Sequence, residues 1–318
     1  MNPSMFAYPQ QKRNVDLLRQ RLRWSVGHGV NLPPSVNLRP FMTEIEDQGD
    51  MGSCVANAIA GSLEYLYKRY ASLKLDVSRL FIDFNARLAN LDWRRRQQFV
   101  ININDPGDNF GTQREAGIRA LQQYGFCKES LWPYDRNLYL RPPPRTVYKE
   151  AARRSIIPLK IPINVDSVRT CLAHEIPVLV GILLSSDDAY HNQGWIEVPK
   201  KPPAKEGYHA CLVVGYDDNT QHFIIRNSWG TSWGDKGYCY VPYEYLIDKR
   251  LVAPESTFWA IVQIIPREAM KRGYVNYPNF TQYHWQSSND QAFFQYCYKQ
   301  QQQQQQQQLF SQRIYTNR

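Results

Sequence analysis

The segment from Asp47 to Ala58 constrains the fold more than any other, because a glycine-containing loop runs directly into an amphipathic helix there. Cys54 stands at this junction, at or next to the first helical residue. A thiol in that position gains from the positive end of the helix dipole, which favours the thiolate. Gln48 precedes it on a loop that can fold back, so that its amide donates to an oxyanion beside the Cys54 backbone N–H. The segment predicts an activated thiol with an oxyanion donor.

Two later positions supply the other groups that such a thiol needs. His209 comes just before one apolar run and Asn227 just after another. We expect these runs to be adjacent antiparallel strands joined by the turn at 217–219, which would bring the two side chains together. An imidazole can pair with a thiolate and protonate a leaving amine, and an asparagine oxygen can fix the imidazole tautomer. Each residue alone is more often structural, but the joint pattern indicates nucleophilic catalysis by Cys54.

The pattern of apolar residues changes from helical to strand-like near Ile156. Before it, apolar residues recur at helical spacing from Cys54 to about Tyr70, over 76–96, and again before Gly125, a residue suited to ending a helix. After it, short apolar runs predict strands at 176–184, 210–216, 223–227, 238–241 and 258–262. Helices followed by strands predict an α+β protein of two lobes.

The chain divides into three predicted parts. Residues 1–29 form an N-terminal extension with a short basic helix, which either packs on the domain or reaches the cleft. Residues 30–266 form the folded domain. Residues 267–318 are a low-complexity tail with nine consecutive glutamines at 300–308. Such a tract cannot build a core, so we expect it to be disordered or self-associating.

The charge distribution argues against a nucleic-acid-binding body. The net charge is +9, of which residues 1–30 and 267–318 carry +4 each, so that 31–266 holds only +1. A nucleic-acid-binding domain places a basic face on its folded body. The longest apolar run, 176–184, has nine residues and is too short to span a membrane. We therefore expect neither nucleic acid nor membrane as a partner.

The cysteines predict free thiols and no metal site. There are six cysteines and no C-x-x-C pair, so the sequence predicts neither zinc nor any other cofactor. The N-terminal residues lack the apolar stretch of a secretory signal. Free thiols are typical of a reducing compartment. We expect the protein in the cytoplasm or within an assembled particle such as a virion.

Three motifs together resemble one known family. The first is the segment 48–54, which ends in the predicted nucleophile Cys54. The second is Tyr-His-Ala at 208–210, and the third is Asn-Ser-Trp-Gly-x-x-Trp-Gly-x-x-Gly-Tyr at 227–238. The chain is similar to the papain-like (C1, cathepsin-like) cysteine peptidases over roughly 30–266. The resemblance implies a papain-like two-lobe α+β fold. Its helical left lobe and antiparallel β right lobe would enclose the active-site cleft.

The resemblance also implies roles for individual residues. Cys54, His209 and Asn227 would be the catalytic set, with Gln48 in the oxyanion hole. By the same match, the backbone at Gly111 would pair with an extended peptide, and Trp229 would shield the bond between the histidine and the asparagine. The residues expected to bind substrate are thus Gly111, Trp229 and Tyr208.

The expected function is that of an endopeptidase acting on a peptide or protein substrate. It would transfer an acyl group from the peptide to Cys54 and then to water. Met51 stands where secreted members carry a disulfide cysteine, which fits a reducing compartment. Two alternatives stay open. One is an exopeptidase on the same fold, and the other is a structural or scaffold protein without turnover, which the glutamine-rich tail suggests.

Overall fold

The computed structural model describes residues 32–90, 111–184, 193–200, 207–254 and 257–267. The predicted basic helix of the N-terminal extension and the low-complexity tail lie outside these ranges, so both stay predictions. Within these ranges, no helix is long and apolar enough to cross a membrane.

The helices gather in the first half of the described chain, as the sequence predicts. They are α1 (Cys54–Ala71), α2 (Arg79–Asn90), α3 (Arg114–Tyr124), α4 (Arg145–Ala151) and α5 (Val165–Ala173). Short 3-10 turns occur at Arg39–Phe41, Glu129–Leu131, Arg136–Leu138 and Tyr243–Leu246. Helix α1 begins at Cys54, at the predicted junction, and buries every residue from Val55 to Leu66. It is therefore the central helix of the molecule.

The strands form one antiparallel sheet. They are β1 (Ser35–Asn37), β2 (Arg154–Ile161), β3 (Val178–Leu183), β4 (Tyr208–Asp217), β5 (His222–Arg226), β6 (Tyr238–Pro242) and β7 (Phe258–Pro266). The sheet order is β2-β7-β3-β4-β5-β6, and β1 pairs with β4. The β4–β5 register places Leu212 opposite Arg226. This pairing brings the start of β4 beside the end of β5, as the sequence predicts.

Two apolar clusters correspond to the two sides of the fold. The larger cluster combines the buried face of α1, including Ile59 and Leu63, with the sheet residues on which it packs. The smaller cluster joins α2, α3 and α4 around aromatic side chains such as Phe81 and Tyr148, whose ring centroids are 5.0 Å apart. Burial of these apolar surfaces is the main stabilising contribution to both sides. Helix α1 contacts both β4 and α2, and so lies between the two clusters.

Gly125 ends α3 at a position that no other residue suits. Its φ is +77°, and a Cβ built there would lie 2.0 Å from the Ala151 carbonyl oxygen and 2.5 Å from that of Arg154. The sequence predicted this helix end. The backbone that leaves α4 passes close to Gly125, and only a residue without a side chain leaves room for it.

Candidate active site

The loop before α1 is fixed to the segment that follows β5. The Gln48 N–H donates to the Ser228 carbonyl oxygen at 2.9 Å, and the Gly230 N–H donates to the Glu46 carbonyl oxygen at 3.0 Å. These two bonds form a short antiparallel ladder. The predicted oxyanion donor is thereby held beside the residue that follows Asn227.

His209 and Asn227 meet where β4 begins and β5 ends. The histidine Nε2 lies 2.6 Å from the asparagine Oδ1. The same oxygen accepts the Ser228 backbone N–H at 2.8 Å. Because an amide oxygen can only accept, Nε2 carries the proton of the neutral ring. The other ring nitrogen, Nδ1, is therefore the one available as a base.

Cys54 sits at the first position of α1, partly buried, with its sulphur next to the end of β4 that carries His209. The backbone of Ala210 hydrogen-bonds to the sulphur, and this bond lowers the thiol pKa. Burial acts in the opposite direction with a larger effect, so the thiol pKa is raised. The helix dipole alone, on which the prediction from the sequence rested, favours the reverse direction. A thiolate at this site must gain its stability from a neighbouring cation.

His209 is the group that can become this cation. Burial lowers the pKa of its imidazole, but the interactions with Cys211 and Asn227 together raise it above the ordinary value. A raised histidine pKa favours the imidazolium near neutral pH. Transfer of the Cys54 proton to His209 would thus give two opposite charges that stabilise each other.

Gln48 has the geometry of an oxyanion donor. Its side chain is buried, its Oε1 accepts the Ser228 hydroxyl at 2.7 Å, and its Nε2 donates to the Met51 carbonyl oxygen at 3.0 Å. The amide nitrogen carries two N–H donors. Met51 takes one of them, and the second is the donor that can serve an oxyanion beside Cys54.

A tyrosine that the sequence analysis did not assign connects the oxyanion loop to the nucleophile helix. The Tyr134 hydroxyl donates to the Gln48 carbonyl oxygen at 2.9 Å and lies 2.5 Å from the hydroxyl of Ser53, the residue before Cys54. The Arg79 guanidinium covers the tyrosine ring at 3.9 Å from its centroid. The Trp-Pro-Tyr turn at 132–134 was visible in the sequence, but these contacts join residues far apart in the chain.

The three predicted substrate-binding residues lie around this set. The Trp229 ring centroid is 4.4 Å from that of His209, at an interplanar angle of 34°. Tyr208 directly precedes the histidine and is 47% exposed. A Cβ built on Gly111 would lie 3.8 Å from the Gly52 carbonyl oxygen, so this glycine is beside the nucleophile loop. Trp229 and Gly111 thus lie beside the predicted catalytic set, whereas Tyr208 adjoins it in sequence.

The structure also brings three carboxylates together: Glu46, Glu64 and Asp76. Their oxygen atoms lie within 4.8 Å of one another, which is close enough to share a metal ion. However, Glu64 accepts hydrogen bonds from the Thr43 hydroxyl at 2.6 Å and the Val77 N–H at 2.9 Å. Arg79 forms an ion pair with Glu46 at 2.9 Å. Protein donors thus already serve two of the three carboxylates.

The cysteines within the described ranges are free thiols, which confirms the prediction for them. Apart from Cys54 they are buried: Cys127, Cys171, Cys211 and Cys239. Cys211 is the one closest to the site, with its sulphur 4.0 Å from Asn227 Oδ1. Cys297 lies outside the described residues.

Comparison with known proteins points to one family. The family described as papain family cysteine protease matches residues 32–249, which is more than half of the chain. The uncharacterized peptidase C1-like protein L477 of Acanthamoeba polyphaga mimivirus is 31% identical over 243 residues, covering 72% of each chain. Peptidase 1 of Psoroptes ovis is 30% identical over 259 residues, covering 79% of this chain and 71% of its own.

Solved structures show the same fold. Xylellain, a cysteine protease from Xylella fastidiosa, matches with a TM-score of 0.60 at 31% identity, over 72% of this chain and 86% of its own. Digestive procathepsin L 3 of Tenebrio molitor matches with a TM-score of 0.54 at 20% identity, over 77% of this chain and 78% of its own. The predicted α+β two-lobe fold is thus confirmed. The chain belongs to the papain family of cysteine proteases.

Proposed function

We propose that the chain is an endopeptidase that cleaves peptide bonds with Cys54, His209 and Asn227. One observation carries the assignment of the catalytic set. The histidine Nε2 is bonded to the asparagine Oδ1 at 2.6 Å, while the Cys54 sulphur lies against the backbone of the residue that follows the histidine. This arrangement supports the proposal that Nδ1, the ring nitrogen left without a proton, accepts the thiol proton.

The first half of the reaction forms an acyl-enzyme. His209 takes the proton of Cys54, and the thiolate attacks the peptide carbonyl carbon, so that a C–S bond forms and the carbonyl electrons move onto oxygen. The Gln48 amide and the Cys54 backbone N–H bind this oxyanion. When the intermediate collapses, the C–N bond breaks and the imidazolium gives its proton to the leaving amine.

The second half returns the free enzyme. His209 takes a proton from water, and the resulting hydroxide oxygen attacks the thioester carbonyl carbon. The same two donors bind the second oxyanion. Collapse breaks the C–S bond, the thiolate recovers its proton from the imidazolium, and the acid product leaves.

An endopeptidase is favoured over an exopeptidase by the residues beside the reacting groups. An exopeptidase must hold the charged terminal amine or carboxylate of its substrate close to the cleavage point. Among the described residues, the three predicted to bind substrate, Tyr208, Trp229 and Gly111, carry no charge that would pair with such a terminus. A peptide blocked at both ends should therefore be cleaved, whereas an exopeptidase would leave it intact.

We extend the proposal to the setting of the activity. The substrate is a peptide or protein, and the cytoplasm or an assembled particle such as a virion is the place of action. The free thiols of the described cysteines and the mimivirus relative support this location. The glutamine tract at 300–308 supports self-association through the tail.

Active-site labelling tests the catalytic set. The full chain is treated with a peptidyl epoxide across pH and analysed by mass spectrometry, next to Cys54→Ala, His209→Ala and the thiol control Cys127→Ala. We expect one label at Cys54, well below the ordinary thiol pKa of about 8.5. Cys127→Ala should keep it, and the other two variants should lose it. Labelling only at high pH, or spread over several cysteines, would show that no thiolate–imidazolium pair forms and would favour the scaffold alternative.

A further inference from the structure

A small cavity lies beneath the proposed catalytic asparagine. Its volume is about 10 Å³, which is room for a single water molecule. Its polar lining comes from Glu46, Asn57, Arg226, Asn227 and Ser228. A cavity of this size and polarity can hold a water only if that water finds two or more hydrogen-bonding partners.

Asn227, which lines this cavity, has an unpaired side-chain donor. Its side chain is only 3% exposed, and its Oδ1 is already used by His209 and the Ser228 N–H. Its Nδ2 is fully buried and has no hydrogen-bond partner among the described residues. A buried amide donor without a partner is costly, so an acceptor is expected within reach.

Glu46 is the acceptor in the cavity lining. The bond from the Gly230 N–H fixes its backbone, and its Oε2 takes the ion pair with Arg79 at 2.9 Å. A carboxylate has two oxygens and about four acceptor sites, so this ion pair leaves capacity for a further donor. Glu46 is therefore held in place while it can still accept.

The other polar lining groups already have partners, and none of them carries a negative charge. Arg226 has no acceptor atom, and its guanidinium donates to the carbonyl oxygens of Thr43 at 2.7 Å and Glu44 at 2.6 Å. Asn57 donates to the Ser53 carbonyl oxygen at 3.0 Å, and the oxygen of its side chain faces Arg79 at 3.4 Å. The Ser228 hydroxyl donates to Gln48. Glu46 is thus the one lining side chain with a negative charge, which makes it the strongest acceptor for a donor from the asparagine.

We propose that one water occupies this cavity, accepts from Asn227 Nδ2–H and donates to the Glu46 carboxylate, which makes Glu46 a positioning residue for the catalytic set. The inference rests on the proposed function. An amide has two orientations that differ by exchange of its oxygen and nitrogen. An acceptor beneath the NH₂ group selects the orientation in which Oδ1 faces His209.

The amide orientation matters because it decides which imidazole nitrogen is basic. With Oδ1 toward His209, the ring carries its proton on Nε2 and leaves Nδ1 free to accept the Cys54 proton. In the reversed orientation an N–H of Asn227 would face Nε2 and favour the tautomer protonated on Nδ1. That tautomer cannot accept the thiol proton, so the reversed orientation is inactive.

The test compares Glu46→Met with Glu46→Gln. Methionine is similar in size and removes the acceptor, whereas the glutamine oxygen can still accept. We expect Glu46→Met to lower kcat/KM about tenfold with little change in KM, since one hydrogen bond is lost. In the pH profile of kcat/KM, it should also shift the histidine limb, which is the limb that reports the ionisation of His209. Glu46→Gln should restore both to within about twofold.

Two controls separate positioning from a loss of folding. Glu129→Met removes the other carboxylate that pairs with Arg79, at 3.5 Å, and Glu129 does not line the cavity, so the pH profile should keep its histidine limb. In an Asn227→Ala background, Glu46→Met should cause no further loss. An equal loss in that background, or an unmoved pH limb, would overturn the inference.

A crystal structure of the full chain supplies a test that needs no variant. We expect a water within about 3 Å of both Asn227 Nδ2 and a Glu46 oxygen. A dry cavity would overturn the inference. The labelling experiment keeps this separate from the proposed function, because failure to label Cys54 in the wild-type protein rejects the catalytic set itself.

Discussion

Replacing Glu64 with glutamine should stabilise the protein at pH 8 and leave its stability unchanged at pH 4. Glu64 lies on α1 with 1% of its surface exposed. Burial raises the pKa of its carboxyl from 4.5 to about 7, although the bonds from Thr43 and the Val77 N–H act in the other direction. The native protein must therefore ionise a carboxyl that favours its neutral form. Glutamine resembles that neutral form.

The magnitude follows from the two pKa values. The unfolded chain loses the Glu64 proton near pH 4.5 and the folded chain near pH 7. Between these values the folded state binds more protons, so the free energy of unfolding falls as pH rises through this window. The full cost above pH 7 is at most about 3 kcal/mol. For a domain of this size it corresponds to a rise in Tm of about 6 to 12 °C for Glu64→Gln at pH 8.

Thermal and urea unfolding would measure this effect, both in a Cys54→Ala background that prevents self-digestion. Glu44→Gln is the matched control, because Glu44 is a highly exposed glutamate paired with Lys74 at 2.7 Å. The control should show no gain at pH 8. If Glu64→Gln is equally stable relative to its parent at pH 4 and pH 8, ionisation of the buried carboxyl carries no penalty and the reasoning is refuted.

Three further outcomes are expected from contacts in the structure. Gln48→Ala should lower kcat by about 10²- to 10³-fold with a smaller change in KM, measured with a fluorogenic blocked peptide, because one oxyanion donor is lost; an unchanged kcat would remove Gln48 from the oxyanion hole. Gly125→Ala should lower the free energy of unfolding by more than about 2 kcal/mol in urea, since the new Cβ meets the Ala151 carbonyl oxygen; wild-type stability would mean that the α3 end relaxes freely. Tyr134→Phe should lower kcat with little change in Tm, because it removes the hydroxyl that joins the Gln48 loop to Ser53 and keeps the ring; a wild-type kcat in Tyr134→Phe together with a loss in Tyr134→Ala would assign the effect to the ring.

Local patterns were enough to predict the parts of the fold that hold Cys54, His209 and Asn227. The start of α1 at Cys54 followed from a glycine-containing loop that changes to helical spacing. The meeting of His209 and Asn227 followed from two apolar runs joined by a short turn, since antiparallel pairing brings the outer ends of such runs together. Both signals lie within about 20 residues of sequence, where periodicity and turn chemistry are informative.

Features that depend on tertiary contacts were not predicted. Helix α4 has only seven residues and follows a proline run that resembles a linker, so its sequence gives little periodicity. The raised pKa of Cys54 comes from burial, which the helix dipole argument did not include. The contacts of Arg79 with Tyr134 and Glu46 join separate segments, and no local pattern reports them.

The ladder between 46–48 and 228–230 has a consequence for insertions and deletions. In an extended segment, residues two apart point to the same side. Glu46 and Gln48 both face the site by this rule, with Asp47 between them bridged to Trp229. A single inserted residue at this position would shift the register and turn one of these side chains to the opposite face. The spacing of the two residues is therefore as much a requirement as their identity, and only changes of two residues would preserve it.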